Sequence, residues 1–229
     1  MALHMLTGAG SGIGAALAAR LQARGDDLIL LARSDARATE LRERFPGAQT
    51  VVADLAAPGD LAAALAAQAL PARLDSLLHV AGVVDLGPVA ELPVAKWTSQ
   101  LDVNLVAPAE LTRLLLPALR AARGQVLFVN SGAGLRAAPE WSAYAASKHG
   151  LKALAESLRA EEAPHGVRVS SVYPGRTATA MQERVHEQEG RAYEPADFID
   201  PASVVTSILT VLDLPRDAQI PDLTIRPGV

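Results

Sequence analysis

Two side chains that can move a proton stand four positions apart in the run Tyr144-Ala145-Ala146-Ser147-Lys148. Their neighbours are strong helix formers, and in a helix this spacing puts both side chains on one face. An ammonium beside a phenol favours phenolate and should draw the tyrosine down from ~10 toward the working pH. Such a phenol can pass a proton to a developing alkoxide. Taken alone, the pair fits a surface helix without chemistry equally well. A second pattern is Thr7-Gly8-Ala9-Gly10-Ser11-Gly12-Ile13-Gly14, with Gly8, Gly12 and Gly14 spaced GxxxGxG between an apolar run and an Ala-rich segment. Glycines let backbone approach a pyrophosphate, and a helix N-terminus offers N–H donors and a positive dipole. A glycine-rich turn with no ligand has the same local pattern. Asn104, set among apolar neighbours in Asp102-Val103-Asn104-Leu105, is a poor mid-helix residue whose presence wants a reason.

The elements that must position these residues are legible as short apolar runs at 3–6, 27–31, 50–53, 76–80, 125–130 and 168–173, with a weaker one at 223–226. Most contain few polar residues, which reads as parallel strands buried on both faces. Between them lie segments with helical spacing at 13–24, 36–44, 61–70, 96–120, 141–163 and 201–212. Alternation of this kind predicts an α/β fold, a doubly wound parallel sheet of about seven strands with helices on both faces. The whole chain, 1–229, reads as one domain with no linker. Gly25 sits where a helix-ending glycine belongs, Asp60 is placed to cap the third helix, and Pro117 implies a kink or an early stop in the fourth. The polar stretch 182–200 reads as a mobile loop with room for a short helix.

Composition narrows the function. Of 229 residues, 50% are apolar and 20% charged, enough to bury a sizeable core. Net charge is −4 and no basic run occurs, which argues against a nucleic-acid or anionic-membrane binder. Cysteine is absent, so thiolate nucleophiles, disulfides and Cys-ligated zinc are excluded. Five scattered His give no expectation of a metal. No apolar run reaches the ~18 residues of a membrane span, and the N-terminus lacks a signal pattern, so a cytoplasmic location is expected.

TGxxxGxG beginning at Thr7, in a chain of this size, resembles the short-chain dehydrogenase/reductase family, and further motifs in family order extend the resemblance to about residue 180. It implies a Rossmann fold, an NAD(P)-dependent oxidoreductase, and a carbonyl or secondary-alcohol substrate. The Gly turn, with Ser11 and Ile13, would bind the cofactor. Ala32 stands where NAD-preferring relatives carry an acid and Arg33 where NADP-preferring ones carry a base, so NADP(H) is expected, with NAD possible. Ser11 occupies the place of the second basic residue of many NADP-preferring relatives. Asp54 and Leu55 would meet adenine, and Ala81 and Gly82 would let the cofactor approach. His79-Val80 departs from the family's Asn-Asn, which questions a sheet-tying hydrogen bond more than catalysis. The resemblance assigns catalysis to Asn104, Ser131, Tyr144 and Lys148. Ser131 would polarise the carbonyl, Asn104 would hold a water that relays protons from Lys148, and Lys148 would also reach the nicotinamide ribose. Pro174, Gly175, Thr177 and Thr179 match PGxxxT and would hold carboxamide and pyrophosphate.

Leu135, Trp141 and a substrate loop around 179–200 are the expected lining of the substrate pocket. Apolar residues on more than one face of the fourth and fifth helices imply a homodimer or homotetramer. A non-catalytic NAD(P)-binding sensor or regulatory protein is the alternative, although members in such roles usually lose the Tyr or the Lys. A sugar-nucleotide epimerase or dehydratase would need a larger C-terminal lobe.

Overall fold

In the computed structural model, which describes residues 1–228, seven strands form one parallel sheet. They are β1 (Leu3–Thr7), β2 (Asp27–Ala32), β3 (Gln49–Val52), β4 (Ser76–His79), β5 (Gln125–Val129), β6 (Arg168–Pro174) and β7 (Asp222–Ile225), in the order β3-β2-β1-β4-β5-β6-β7. The order reverses between β1 and β4, leaving a crevice beyond their carboxyl ends where open α/β sheets bind ligands.

Successive side chains point to opposite faces, and both faces are apolar. Met5, Ile29, Leu77, Val126 and Phe128 face one core, and Leu6, Leu30, Leu78, Leu127 and Val129 face the other. The first core is closed by α3 (Leu61–Ala66), α5 (Ala107–Ala122) and α6 (Ser142–Glu162). The second is closed by α1 (Gly12–Ala23), α2 (Asp35–Arg44) and α8 (Pro201–Leu212). A further helix, α4 (Val94–Leu101), packs on α6, and α7 (Ala180–Gln188) follows β6.

Gly25 ends α1 as expected. Its φ is +80°, its N–H reaches Gln22 O, and the Asp26 N–H reaches Leu21 O, the paired bonds of a Schellman cap. Other expectations change. α3 stops at Ala66 rather than residue 70, ahead of Pro71, and Asp60 holds the capping position without a side-chain bond. The long fourth helix is two helices, α4 and α5, joined by a π segment at Asp102–Val106. Pro117 does not end α5. It is exposed, while Leu115 and Leu119 on either side are buried and hold that turn to the sheet. The expected loop at 182–200 carries α7, a short turn at Pro195–Asp197, and a bridge from Thr177 to Ile199. Its Val185 and His186 are buried, and His186 sits against the rings of Tyr193 and Phe198. No helix is long and apolar enough to cross a membrane, and no metal-binding cluster occurs among the described residues.

Candidate active site

The turn from β1 into α1 forms one end of the site. Gly8 has φ +78°, and a Cβ there would lie 2.8 Å from Ala81 N. A Cβ on Gly14 would lie 2.1 Å from Gly8 O, so no side chain can stand at either position. Thr7 Oγ1 accepts from both Val80 N (3.0 Å) and Ala81 N (3.1 Å), tying the end of β4 to this turn. That answers the question raised by the missing Asn pair. His79 is a structural residue: buried, bonded to Thr112 Oγ1 at 2.9 Å, stacked on Phe128, and pushed down to about 3 by burial. Ser11 holds the N-cap position of α1 in extended backbone without using its side chain, so the first N–H groups of α1 open toward the crevice.

Beyond β6, Thr179 caps α7 by accepting from Gln182 N, and its Cγ2 would be 3.0 Å from a Cβ on Gly12. Its segment therefore closes the Gly turn from the opposite side. Gly175 N donates to Ile225 O at 2.8 Å, and Thr177 Oγ1 donates to Gly175 O at 3.0 Å, which shapes the turn.

The other end of the site is built on β5 and α6. Tyr144 and Lys148 share the buried face of α6, with the Lys148 Nζ 5.9 Å from the centre of the Tyr144 ring. Ser131 begins the turn after β5, accepts from Ala133 N at 3.1 Å, and lines the same cavity as the phenol. Asn130 fastens the two elements. Its Nδ2 donates to Lys148 O at 3.1 Å and its Oδ1 accepts from Ser131 N at 2.8 Å. Trp141 meets Tyr144 edge-on, with centroids 5.7 Å apart.

Electrostatics differ from the sequence expectation. Burial raises the Tyr144 phenol above its ordinary value, opposed by the Ser131 hydroxyl. Burial lowers Lys148 to about 8. The amine donates to Val129 O at 3.1 Å, so low polarity outweighs the ammonium in setting the phenol.

These ends meet in one cavity of about 320 Å³. Gly8, Ser11, Gly12, Ile13 and Gly14 line it from the turn. Ala81 and Gly82 line it from β4, and Ser131, Trp141, Tyr144 and Lys148 from β5 and α6. Pro174, Gly175, Thr177 and Thr179 complete the expected set.

Five expected residues lie outside this lining. Asn104 is one: its Oδ1 accepts from Val83 N (2.9 Å), and its Nδ2 donates to Val83 O (2.9 Å) and Ser147 Oγ (3.0 Å). Both polar ends of the side chain are engaged, and it braces the segment after β4 against α6. Arg33 is exposed at the end of β2. Asp54 is exposed at the end of β3, where its carboxylate accepts from Ala56 N at 2.9 Å. Leu55 beside it is buried. Leu135 is also absent from the cavity, being 45% exposed.

Sequence reasoning missed Asn130 and two arginines. The Arg37 guanidinium, paired with Glu40, lies over Gly10, and Arg44 donates to Gly10 O at 3.2 Å. Arg37 and Arg44 are two turns apart on one face of α2, the spacing that could have revealed them. They bring basic character to the Gly turn where Ser11 brings none.

The family described as short chain dehydrogenase matches residues 3–190. Dehydrogenase/reductase SDR family member 7B of Bos taurus is 33% identical over 229 residues, covering 92% of this chain and 70% of that protein. A short-chain dehydrogenase from Sphingobium yanoikuyae in complex with NADPH is 28% identical with a TM-score of 0.80, covering 98% of this chain and 87% of that one. A 4-hydroxyisoleucine dehydrogenase complexed with NADH is 26% identical with a TM-score of 0.85, covering 100% of this chain and 98% of that one. The chain belongs to the short-chain dehydrogenase family. It is an oxidoreductase that works with NAD(P).

Proposed function

We propose that the protein interconverts a carbonyl and a secondary alcohol with NADP(H), and that Tyr144 is the acid and base. The observation that carries this reading is the shared cavity: Tyr144, Ser131 and Lys148 form one wall and the Gly8–Gly14 turn another. The turn fits a dinucleotide because side chains are barred where its backbone must approach a ligand and α1 supplies free N–H donors. Gly12, Ile13, Gly14 and Thr179 would hold the diphosphate, and Gly175 and Thr177 the carboxamide end. Asp54 and Leu55 would meet the adenine. When bound, the nicotinamide supplies or accepts the hydride.

The rest falls to this chain's own residues. Tyr144 gives its proton to the carbonyl oxygen, and a phenol raised by burial is fully protonated and ready to donate. The Ser131 hydroxyl beside it polarises the same oxygen. Lys148 holds the ribose and favours the phenolate once the proton has left. Asn104 and Asn130 are positioning residues, because each braces neighbouring segments: Asn104 holds Val83 and Ser147, and Asn130 holds Lys148 and Ser131. Arg33, with Arg37 nearby, supports the reading of NADPH over NADH: an exposed guanidinium suits a 2′-phosphate, and Ala32 offers no acid to repel it. NADPH in one relative and NADH in another are both compatible with the fold.

The test is NADPH oxidation across a panel of ketones, aldehydes and quinones, with Tyr144→Phe alongside. Turnover in wild type and its collapse in the variant supports the reading. NADPH binding with no turnover on any carbonyl or alcohol would favour a sensor instead. Light scattering at micromolar concentration checks assembly as a homodimer or homotetramer.

A further inference from the structure

The cavity that holds Tyr144 is lined by three cations and no acid: Lys148, Arg176 and Arg184. Two of these are already committed. Lys148 is buried on Val129 O. Arg176 is paired with both Glu189 carboxylate oxygens, at 2.9 and 2.5 Å, and lies 5.7 Å over the Trp141 ring. Arg184 has neither an acidic partner nor a hydrogen-bonded acceptor among the described residues. The same cavity has apolar lining from Val84, Trp141, Met181 and Val185.

The backbone of Arg184 stands away from the diphosphate cradle. Thr179, the residue against Gly12, begins α7, and Arg184 is five residues further on, about 7.5 Å along the helix axis. The neighbouring Val185 packs with Val84 and Tyr144, and Gln188 accepts from Leu86 N at 2.7 Å, which pins this end of α7 across the Tyr144 side of the cavity. An unpaired guanidinium lining the same cavity as the proton donor and these apolar side chains is suited to an anion attached to the molecule being reduced or oxidised.

We propose that Arg184 binds a carboxylate of the substrate, so that the enzyme acts on oxo acids or hydroxy acids whose aliphatic stem lies on Val84, Trp141 and Val185. This rests on the hydride-transfer reading of the cavity. A carboxylate is the anion that one planar guanidinium satisfies by itself through two parallel hydrogen bonds. A phosphate dianion would call for a second free cation, and Glu189 already holds Arg176.

The test uses the complex with NADP+, in which an oxo acid cannot be reduced. Pyruvate, levulinate and 5-oxohexanoate are titrated into it by calorimetry, each beside its methyl ester. At least one acid is expected to bind about ten- to hundred-fold more tightly than its ester, the range of a charge-assisted pair. Arg184→Gln should abolish that preference, Arg184→Lys should retain part of it, and NADPH affinity should stay within about two-fold in both, as follows from placing the anion site away from the cradle. Arg184 is exposed, so these variants leave the core intact. Acids and esters binding alike would overturn the proposal. So would an Arg184→Gln variant that loses NADPH affinity, because the guanidinium would then serve the cofactor diphosphate. Failure of NADPH turnover would strike the hydride-transfer reading alone, since the acid-against-ester comparison in the NADP+ complex does not depend on catalysis.

Discussion

Asn130 donates from Nδ2 to the main-chain oxygen of Lys148 at 3.1 Å, across the gap between β5 and α6. Its Oδ1 takes the Ser131 N–H at 2.8 Å, so one buried amide sets the distance between the helix carrying Tyr144 and the turn carrying Ser131. Gly134 packs so closely on this amide that a Cβ there would meet Oδ1 at 2.4 Å. Asn130→Ala removes the brace and leaves the Ser131 N–H without its acceptor. Denaturant unfolding should show a loss of about 1–3 kcal/mol, the range for an orphaned buried group. Turnover should fall with NADPH affinity nearly unchanged, and kinetics beside a binding titration will check that split.

Tyr144→Phe deletes one hydroxyl and keeps the ring against Trp141 and Val84. Fold and NADPH binding should survive, while turnover drops by at least ~10²-fold, the usual scale for a lost general acid. Ser131→Ala should also lower turnover and leave NADPH binding alone. Near-full activity in Tyr144→Phe would remove Tyr144 from the mechanism.

Arg33→Ala should weaken NADPH by about ten-fold or more and leave NADH little changed, as expected for one charge-assisted contact to a 2′-phosphate. Arg37→Ala should act in the same direction with a smaller effect, because Glu40 shares its guanidinium. Fluorescence titration with the two nicotinamides reads both variants. Equal wild-type affinity for NADH and NADPH would refute the preference.

Lys148 gives a pH signature to the cofactor-free protein. Burial lowers its pKa from 10.5 to about 8, so between these values the unfolded chain binds more protons than the folded one. Stability therefore rises with pH across that window through this residue. Lys148→Met should be the more stable form at pH 7, and the gap should narrow toward pH 10.5. Urea unfolding of both proteins at several pH values measures it. A gap that stays constant would mean that the amine is not desolvated as described.

The chemistry-bearing residues were legible where their meaning was local. Tyr144 and Lys148 share a helix face, and Gly8, Gly12 and Gly14 share a turn, so spacing alone brought each set together. Both ends of each of the first six strands followed from apolar runs to within a residue. Contacts between distant segments were not legible. Nothing near Asn130 in the chain announces that it reaches α6, and Thr179 meets Gly12 only because the segment after β6 closes over the turn after β1. The same limit produced the wrong sign for Tyr144: the ammonium four residues away was visible, and the depth of burial was not. α7 was read as loop because it is mostly polar, its buried residues Gln182, Val185 and His186 being too few to mark an apolar stripe.

The π segment at Asp102–Val106 carries one residue more per turn than the helices it joins. Each residue of an α-helix turns the chain by about 100°, so the inserted residue rotates α5 relative to α4 by that angle. It acts as a phase shifter: α4 can lie along α6 while α5 presents Leu111, Leu115 and Leu119 to the sheet, which a straight helix with this sequence could not do together. Asn104 sits at the shift itself, and its bonds to Val83 and Ser147 hold the rotated setting. Deleting one residue here would leave the composition of both helices nearly untouched yet turn one apolar stripe out of register with its partner.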